Sequence, residues 1–346
     1  MVLTSQPTKL SCASRTKAPN TTRRASYEIG LVNNMSGTAL HTTTKQFWSL
    51  LEEAGEDANI HLRIYSPFAD PRILSRERAL FKNYEHIENL WTSKLDGMIV
   101  SGTEPKAARL VDEPSWPFLT QLVDWSEDNV LSTVWSCMAT QAAVFHLDGV
   151  ERQARATKLS GVFGCEVSAD NQMLDGYPRR WSVAHSRYND LPETVLAAHG
   201  YEILARSPVA GADTFMKHRK IPHFFLQGHM EYDGDALARE YRRDVRRFLV
   251  AETDRFPETP VAYFAADVEH ALVDFREKAL RTRDLKLLAE FPVRIPATCK
   301  RASWRSVAVQ FYRNWLAHLA NCKATNAETI SGDTRALRHA APERPL

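Results

Sequence analysis

A thiol becomes a strong nucleophile once ionised, and Cys137 stands where a chain can ionise and present one. The β-prone run Leu131-Ser-Thr-Val-Trp-Ser136 stops at Cys137, and the helix-prone run Met138-Ala-Thr-Gln141-Ala-Ala-Val-Phe-His146 begins directly after it. A cysteine at such a strand-to-helix turn projects its sulfur from the sheet edge. The free N–H groups and positive end of the following helix then favour the thiolate. An inert, packed cysteine is the competing reading. A thiolate that handles acyl groups needs a base, and the base needs an orienting acceptor. Gln227-Gly-His229-Met-Glu231 offers both, because His and Glu two apart on an extended segment share one face. An HxE pair is often plain surface polarity, but this one follows the apolar run Phe224-Phe-Leu226, at the carboxyl edge where sites gather in open α/β sheets.

Two further segments bear on the same chemistry. Gly97-Met-Ile-Val-Ser-Gly102-Thr-Glu-Pro105 reads as a strand ending in a small-residue turn. The backbone at Gly102 is a candidate oxyanion donor beside that of Met138, or an ordinary tight turn. His185-Ser186-Arg187 carries a guanidinium whose planar fork suits a carboxylate, or a solvated arginine. The basic run Arg239 to Arg247 invites a nucleic-acid reading, but Leu237, Tyr241, Val245 and Phe248 fall on one face, so most of its arginines form a solvated stripe.

Positioning these groups requires a sheet. Strands are predicted over 27–32, 60–65, 97–101, 131–136, 159–167, 201–205 and 224–226, with helices beginning near Thr43, Ser75, Trp116, Met138, Pro192 and Asp235. That alternation specifies an α/β fold, an open and mostly parallel sheet flanked by helices. After Pro257, apolar residues recur at helical spacing, first Val268, Leu272, Phe275 and Ala279, then Trp304, Ala308, Phe311, Trp315 and Leu319, and predict extra C-terminal helices. The expected organisation is a disordered leader over 1–26, a catalytic α/β domain over 27–256, a helical extension packed on it over 257–322, and a disordered tail over 323–346.

Composition narrows the function classes. The 346 residues are 44% hydrophobic and 25% charged, and 44 Lys+Arg against 42 Asp+Glu leave a net charge of +2. That balance gives no electrostatic reason to expect nucleic acid as a partner. No run reaches the roughly 18 apolar residues of a membrane span, so no membrane partner is expected. Five cysteines, with no CxxC pair, argue against a disulfide framework or structural zinc and for a reducing compartment, the cytoplasm. The acid-poor leader overlaps in composition with transit peptides but shows no apolar face. There is no GxxxxGK loop, no GxGxxG after the first strand and no His/Cys/Asp set at metal spacing, so no bound metal is expected.

The chain from about Tyr27 to Leu249 resembles the homoserine O-succinyltransferase family, the homoserine transacylases of methionine biosynthesis, which share the class I glutamine-amidotransferase-like fold. The carriers are Asp96-Gly-Met-Ile-Val-Ser-Gly102, Trp116-Pro117, Trp125-Ser126, Cys137-Met-Ala-Thr-Gln141-Ala-Ala, Lys158-Leu-Ser-Gly-Val162, Ala184-His-Ser-Arg187, Gly228-His-Met-Glu-Tyr-Asp233 and Glu240-Tyr-Arg-Arg-Asp244. The resemblance implies Cys137 as the acyl-accepting nucleophile, His229 as general base and Glu231 as its orienting partner. It implies that Lys158, Ser186 and Arg243 line the amino-acid site with Arg187 close by. It also implies acyl-CoA as a co-substrate without a permanently bound cofactor, and a homodimer. On a helical wheel Arg243 points away from the apolar face of its helix.

Three departures from the family pattern matter. Met35-Ser-Gly-Thr38 replaces a frequent Met-Pro-Lys-Lys loop, which removes a basic contributor near the thiolate, and Met138-Ala139 stands where many relatives have Trp-Gly or Trp-Ala. The family position associated with acyl choice, usually Gly or Glu, falls on Lys106 by ungapped spacing; there a cation is expected to pair with the free carboxylate of a succinyl-type donor. The reading is a ping-pong homoserine O-acyltransferase using succinyl- or acetyl-CoA. Serine or another hydroxy amino acid as acceptor remains open, as does a glutaminase-type cysteine hydrolase, since the Cys…His-x-Glu order serves both chemistries.

Overall fold

In the computed structural model, residues 24–67, 84–292 and 303–339 are described, with side chains of the last helix described to residue 326. The helix expected near Ser75 and most of the expected leader lie outside the described residues. Four strands are buried along nearly their whole length: β1 (Ser26–Val32), β4 (Gly97–Val100), β5 (Ser132–Ser136) and β10 (Pro222–Leu226). Continuous burial of this kind belongs to parallel strands covered on both faces. With β2 (Asn59–Tyr65) and β3 (Tyr84–Glu85) they form a parallel array in the order β3-β2-β1-β4-β5-β10.

Beyond β10 the sheet turns antiparallel through β9 (Gly211–His218), β8 (Glu202–Ser207), β6 (Gln153–Val167) and β7 (Arg180–Asp190), completing ten strands. The sequence pattern signals neither β7 nor β9, nor the two-residue β3. β7 carries His185, Ser186, Arg187 and Asn189 at buried positions, so its polar composition hid a strand in which Arg187 pairs with His185 and Asp190, and Ser186 with Glu240, inside the protein.

Alternation along the parallel strands divides the core in two. Ile29, Leu31, Ile99, Val134, Phe224 and Leu226 pack with Phe47 and Leu50 of helix α1 (Thr38–Ala54) and with Phe311, Tyr312 and Trp315 of the last helix. Val32, Met98, Val100, Trp135 and Phe225 face the other way, onto Leu119 and Leu122 of α2 (Trp116–Asn129) and Met138, Ala142 and Ala143 of α3 (Met138–Asp148). A short α4 (Glu193–Ala198) adds Leu196 to that face. A third core joins α5 (Ala236–Leu249) to α6 (Ala266–Thr282) through Tyr241, Val245, Phe248, Leu272 and Phe275.

The last helix, α7 (Arg305–His339), runs across the boundary at Lys323 that composition suggested. It covers the sheet directly. A Cβ built on Gly97 of β4 would lie 2.7 Å from the Trp315 ring, so only glycine admits this contact, and the indole N–H donates to Ser132 Oγ of β5 at 3.1 Å. Replacing Trp315, fully buried, with alanine is expected to destabilise the fold by about 3–5 kcal/mol, read as a lowered denaturant midpoint. None of the described helices is long and apolar enough to cross a membrane.

Candidate active site

The ends of β4, β5 and β10 meet at one edge, and their loops carry Gly102, Cys137 and His229. Asn34, after β1, holds the first of these loops: its backbone N–H donates to Ser101 Oγ at 2.9 Å and its side-chain amide to the Ser101 carbonyl at 2.7 Å. A Cβ on Gly102 would stand 3.0 Å from Cys137 Cβ and 3.2 Å from the Met138 nitrogen, so the bare backbone lies directly against the Cys137 turn. The Cys137 N–H donates to the Leu226 carbonyl at 2.7 Å, tying that turn to β10. The His229 N–H donates to the Ala184 carbonyl of β7 at 2.7 Å.

Cys137 has φ 51° and ψ −115° immediately before α3. Non-glycine residues avoid this region, and holding one there costs on the order of 1–3 kcal/mol. The surrounding packing therefore overrides a local preference to turn this side chain into the cleft, where it is 8% exposed and lies 4.0 Å from the Ser186 carbonyl. Met138, first residue of α3, is buried beside it.

His229 and Glu231 line the same cleft. Nδ1 of His229 is 2.8 Å from Glu231 Oε1, and Tyr232 stacks on the imidazole with ring centres 4.1 Å apart. Burial alone would lower the imidazole's pKa, but the Cys137 thiolate first, then the Glu231 carboxylate, hold it well above its ordinary value. Nε2 makes no completed hydrogen bond among the described residues. The site thus stabilises the charged form of this imidazole.

Glu240, on α5, is the centre of a second group. Its carboxylate accepts from Lys158 Nζ of β6 at 3.0 Å and from the hydroxyls of Ser186 and Tyr232. Lys158 also donates to Asp244 at 2.9 Å. Burial would raise the Glu240 pKa, yet Lys158, Arg243 and the two hydroxyls bring it down to about 2. Burial likewise opposes the charge on Lys158, and Glu240 and Asp244 reverse that, keeping the ammonium charged to higher pH than usual. Arg243 lines the cleft from the same helix, bonded to Asp244 and 38% exposed at its side chain. The wheel correctly put it off the apolar stripe; the open cleft is what that side of α5 faces.

Two expected site residues are placed differently. Arg187 reaches the cleft wall, but its guanidinium is engaged by Asp190 at 2.9 Å, by the Ala210 carbonyl at 2.5 Å and by Nδ1 of His185. It braces β7 and offers no free fork to a carboxylate. Lys106 is exposed and absent from the cleft lining, where Glu104 and Pro105 stand instead; its backbone N–H donates to Glu113 at 2.9 Å.

The structure also assembles Cys165, His185 and Asp213 from β6, β7 and β9, with potential ligand atoms within 4.8 Å of one another. No sequence spacing announces this group. Arg187 donates to Nδ1 of His185, which leaves the ring proton on Nε2, 3.2 Å from Asp213 Oδ1, so that nitrogen has no lone pair to give a metal. Burial and then Arg187 push the His185 pKa down to about 4.

Residues 5–325 of the chain match the model of the homoserine O-succinyltransferase family. The chain belongs to that family. It is 42% identical over 294 residues to the homoserine O-succinyltransferase of Rhodopseudomonas palustris, covering 85% of this chain and 88% of the relative. It is also 42% identical over 289 residues to that of Methylorubrum extorquens, covering 84% and 86%. Among solved structures, a glutamine amido transferase from Methylobacillus flagellatus aligns over 85% of this chain and 95% of its own, at 14% identity and a TM-score of 0.47.

Within this member of the homoserine O-succinyltransferase family, Glu240 and His185 are expected to make stability depend on acid. Glu240 titrates near 2 when folded and near an ordinary carboxylate value when unfolded, so its contribution, on the order of 2–3 kcal/mol, is present above pH ~4.5 and lost as pH falls towards 2. His185 stays neutral in the fold down to about pH 4, whereas the unfolded chain protonates it near 6.5; stability therefore declines across that higher window. Thermal unfolding between pH 7 and 3 is expected to show both stages, and Glu240→Gln to flatten the lower one.

Proposed function

We propose that the chain transfers an acyl group, succinyl in the first instance, from an acyl-CoA thioester to the hydroxyl of L-homoserine. The observation that carries this is the meeting of Cys137, His229 and Glu231 in one cleft with the Gly102 backbone against the nucleophile. In the first half-reaction His229 takes the thiol proton and the Cys137 thiolate attacks the thioester carbonyl. The N–H groups near Gly102 and Met138 receive the developing oxyanion, and CoA leaves with the proton from His229. In the second, His229 takes the proton of the acceptor hydroxyl, whose oxygen attacks the acyl-cysteine. The ester leaves and the Cys137 sulfur is freed. Arg243 supplies a partly exposed cation for the acceptor's carboxylate, and Ser186, Glu240 and Lys158 form the polar wall around it. The cleft has about 60 Å³ of free volume, room for about four waters, which fits a small acyl group or amino acid.

Intact-mass spectrometry tests the cycle. Mixing the protein with succinyl-CoA is expected to add one succinyl group at Cys137, and homoserine is expected to remove it. Removal by serine instead would reassign the acceptor. Ammonia release from glutamine without CoA would favour a hydrolase, and failure to form an adduct with any of a panel of acyl-CoAs would overturn the reading.

A further inference from the structure

A CoA thioester is far larger than a 60 Å³ cleft, so the remainder of the donor needs a bed outside it. A groove of about 470 Å³ adjoins the cleft and shares two of its wall residues, Lys158 and Tyr188. We propose that this groove, between β6 and the segment after α5, binds the phosphate-bearing nucleotide end of the donor, with Arg155 and Arg255 as its phosphate contacts. The inference rests on acyl-CoA being the donor.

Three features carry it. Diphosphate and 3′-phosphate groups call for several cations along one path, and Arg155, Lys158, Arg247 and Arg255 all line this groove. Two of them have capacity left for a ligand. The Arg155 side chain is 30% exposed and, among the described residues, its guanidinium pairs only with Asp190. Among the described residues, the exposed Arg255 guanidinium meets only the Ala156 carbonyl, at 3.2 Å. The groove's acids are largely neutralised: Asp244 by Lys158 and Arg243, and Glu252 by Arg246 at 3.4 Å and Arg247 at 4.0 Å, leaving Glu258 exposed to water. Finally, Tyr188, 38% exposed at the junction, offers an aromatic face along which the donor's arm can run towards Cys137.

The rival bed on the other side of the cleft is smaller, about 250 Å³, and its two arginines are paired, Arg239 with Asp233 and Asp235 and Arg243 with Asp244.

Steady-state kinetics with Arg155→Gln and Arg255→Gln decide the matter. Each is expected to raise KM for succinyl-CoA about 5- to 30-fold, with kcat and the KM for homoserine unchanged. Turnover with succinyl-pantetheine, which lacks the nucleotide, is expected to be equal in native protein and variants. Adenosine 3′,5′-bisphosphate is expected to compete with succinyl-CoA in the native protein and more weakly in Arg255→Glu. An unchanged KM for succinyl-CoA in both glutamine variants, or an equal loss with succinyl-pantetheine, overturns the groove assignment while the donor reading stands. Native protein that is neither acylated nor turned over by succinyl-CoA overturns the donor reading, and the groove assignment with it.

Discussion

Replacing Cys137 with glycine is expected to abolish acyl transfer, lowering kcat by at least 10³- to 10⁴-fold by order of magnitude, and to leave the fold no less stable than the native protein. The activity loss follows from removing the atom proposed to carry the acyl group, and mass spectrometry should find no adduct after incubation with acyl-CoA. The stability outcome follows from φ 51° and ψ −115°, a conformation glycine adopts without the steric cost borne by a side chain. Against that gain stand the lost packing of one small side chain and the greater backbone entropy of glycine in the unfolded chain, so the net change is expected to lie between zero and about 1 kcal/mol in favour of the variant. Cys137→Ala is the contrast: equally inactive, but still strained. A melting temperature for Cys137→Gly well below that of Cys137→Ala would show that the turn is not held against its preference. The pair separates the two demands made on this residue, since the strain that presents the sulfur is useful only while there is a sulfur to present.

Loss of the Glu231 charge is expected to have the next largest effect. Glu231→Gln keeps the shape and a hydrogen-bonding group beside Nδ1 of His229 but removes the negative charge that helps hold the imidazolium. The imidazole pKa should therefore fall, and the limb of the pH–rate profile that reports it should move to lower pH. A glutamine that presents its N–H to Nδ1 would also favour the wrong ring tautomer. Together these are expected to reduce kcat by roughly 10²- to 10⁴-fold, with a smaller change in KM for either substrate. Tyr232 still stacks on the ring in this variant, so its placement is largely retained. A profile with an unmoved limb would argue that the carboxylate only positions the imidazole and does not stabilise its charge.

What could be read directly from the chain is whatever the backbone decides over a few residues. The change from β-prone to helix-prone sequence at Cys137, the two-residue spacing of His229 and Glu231, and the helical stripes ending in Phe311, Trp315 and Leu319 are all local patterns, because strand and helix periods act between near neighbours. Most of the leader and the helix near Ser75 fall outside the described residues. Glu240 lay within a recognised motif, yet nothing in its neighbours revealed that it gathers Lys158, Ser186 and Tyr232, since two of those partners come from strands 82 and 54 residues away. Arg187 read as a possible clamp until β7 set it against His185 and Asp190. Lys106 follows directly on Glu104 and Pro105, which line the cleft, but is not itself part of that lining. Charges and hydroxyls have no period of their own. Which of them meet depends on how distant strands are laid side by side, and burial then makes each pairing obligatory, because an unpaired charge removed from water is too costly to keep.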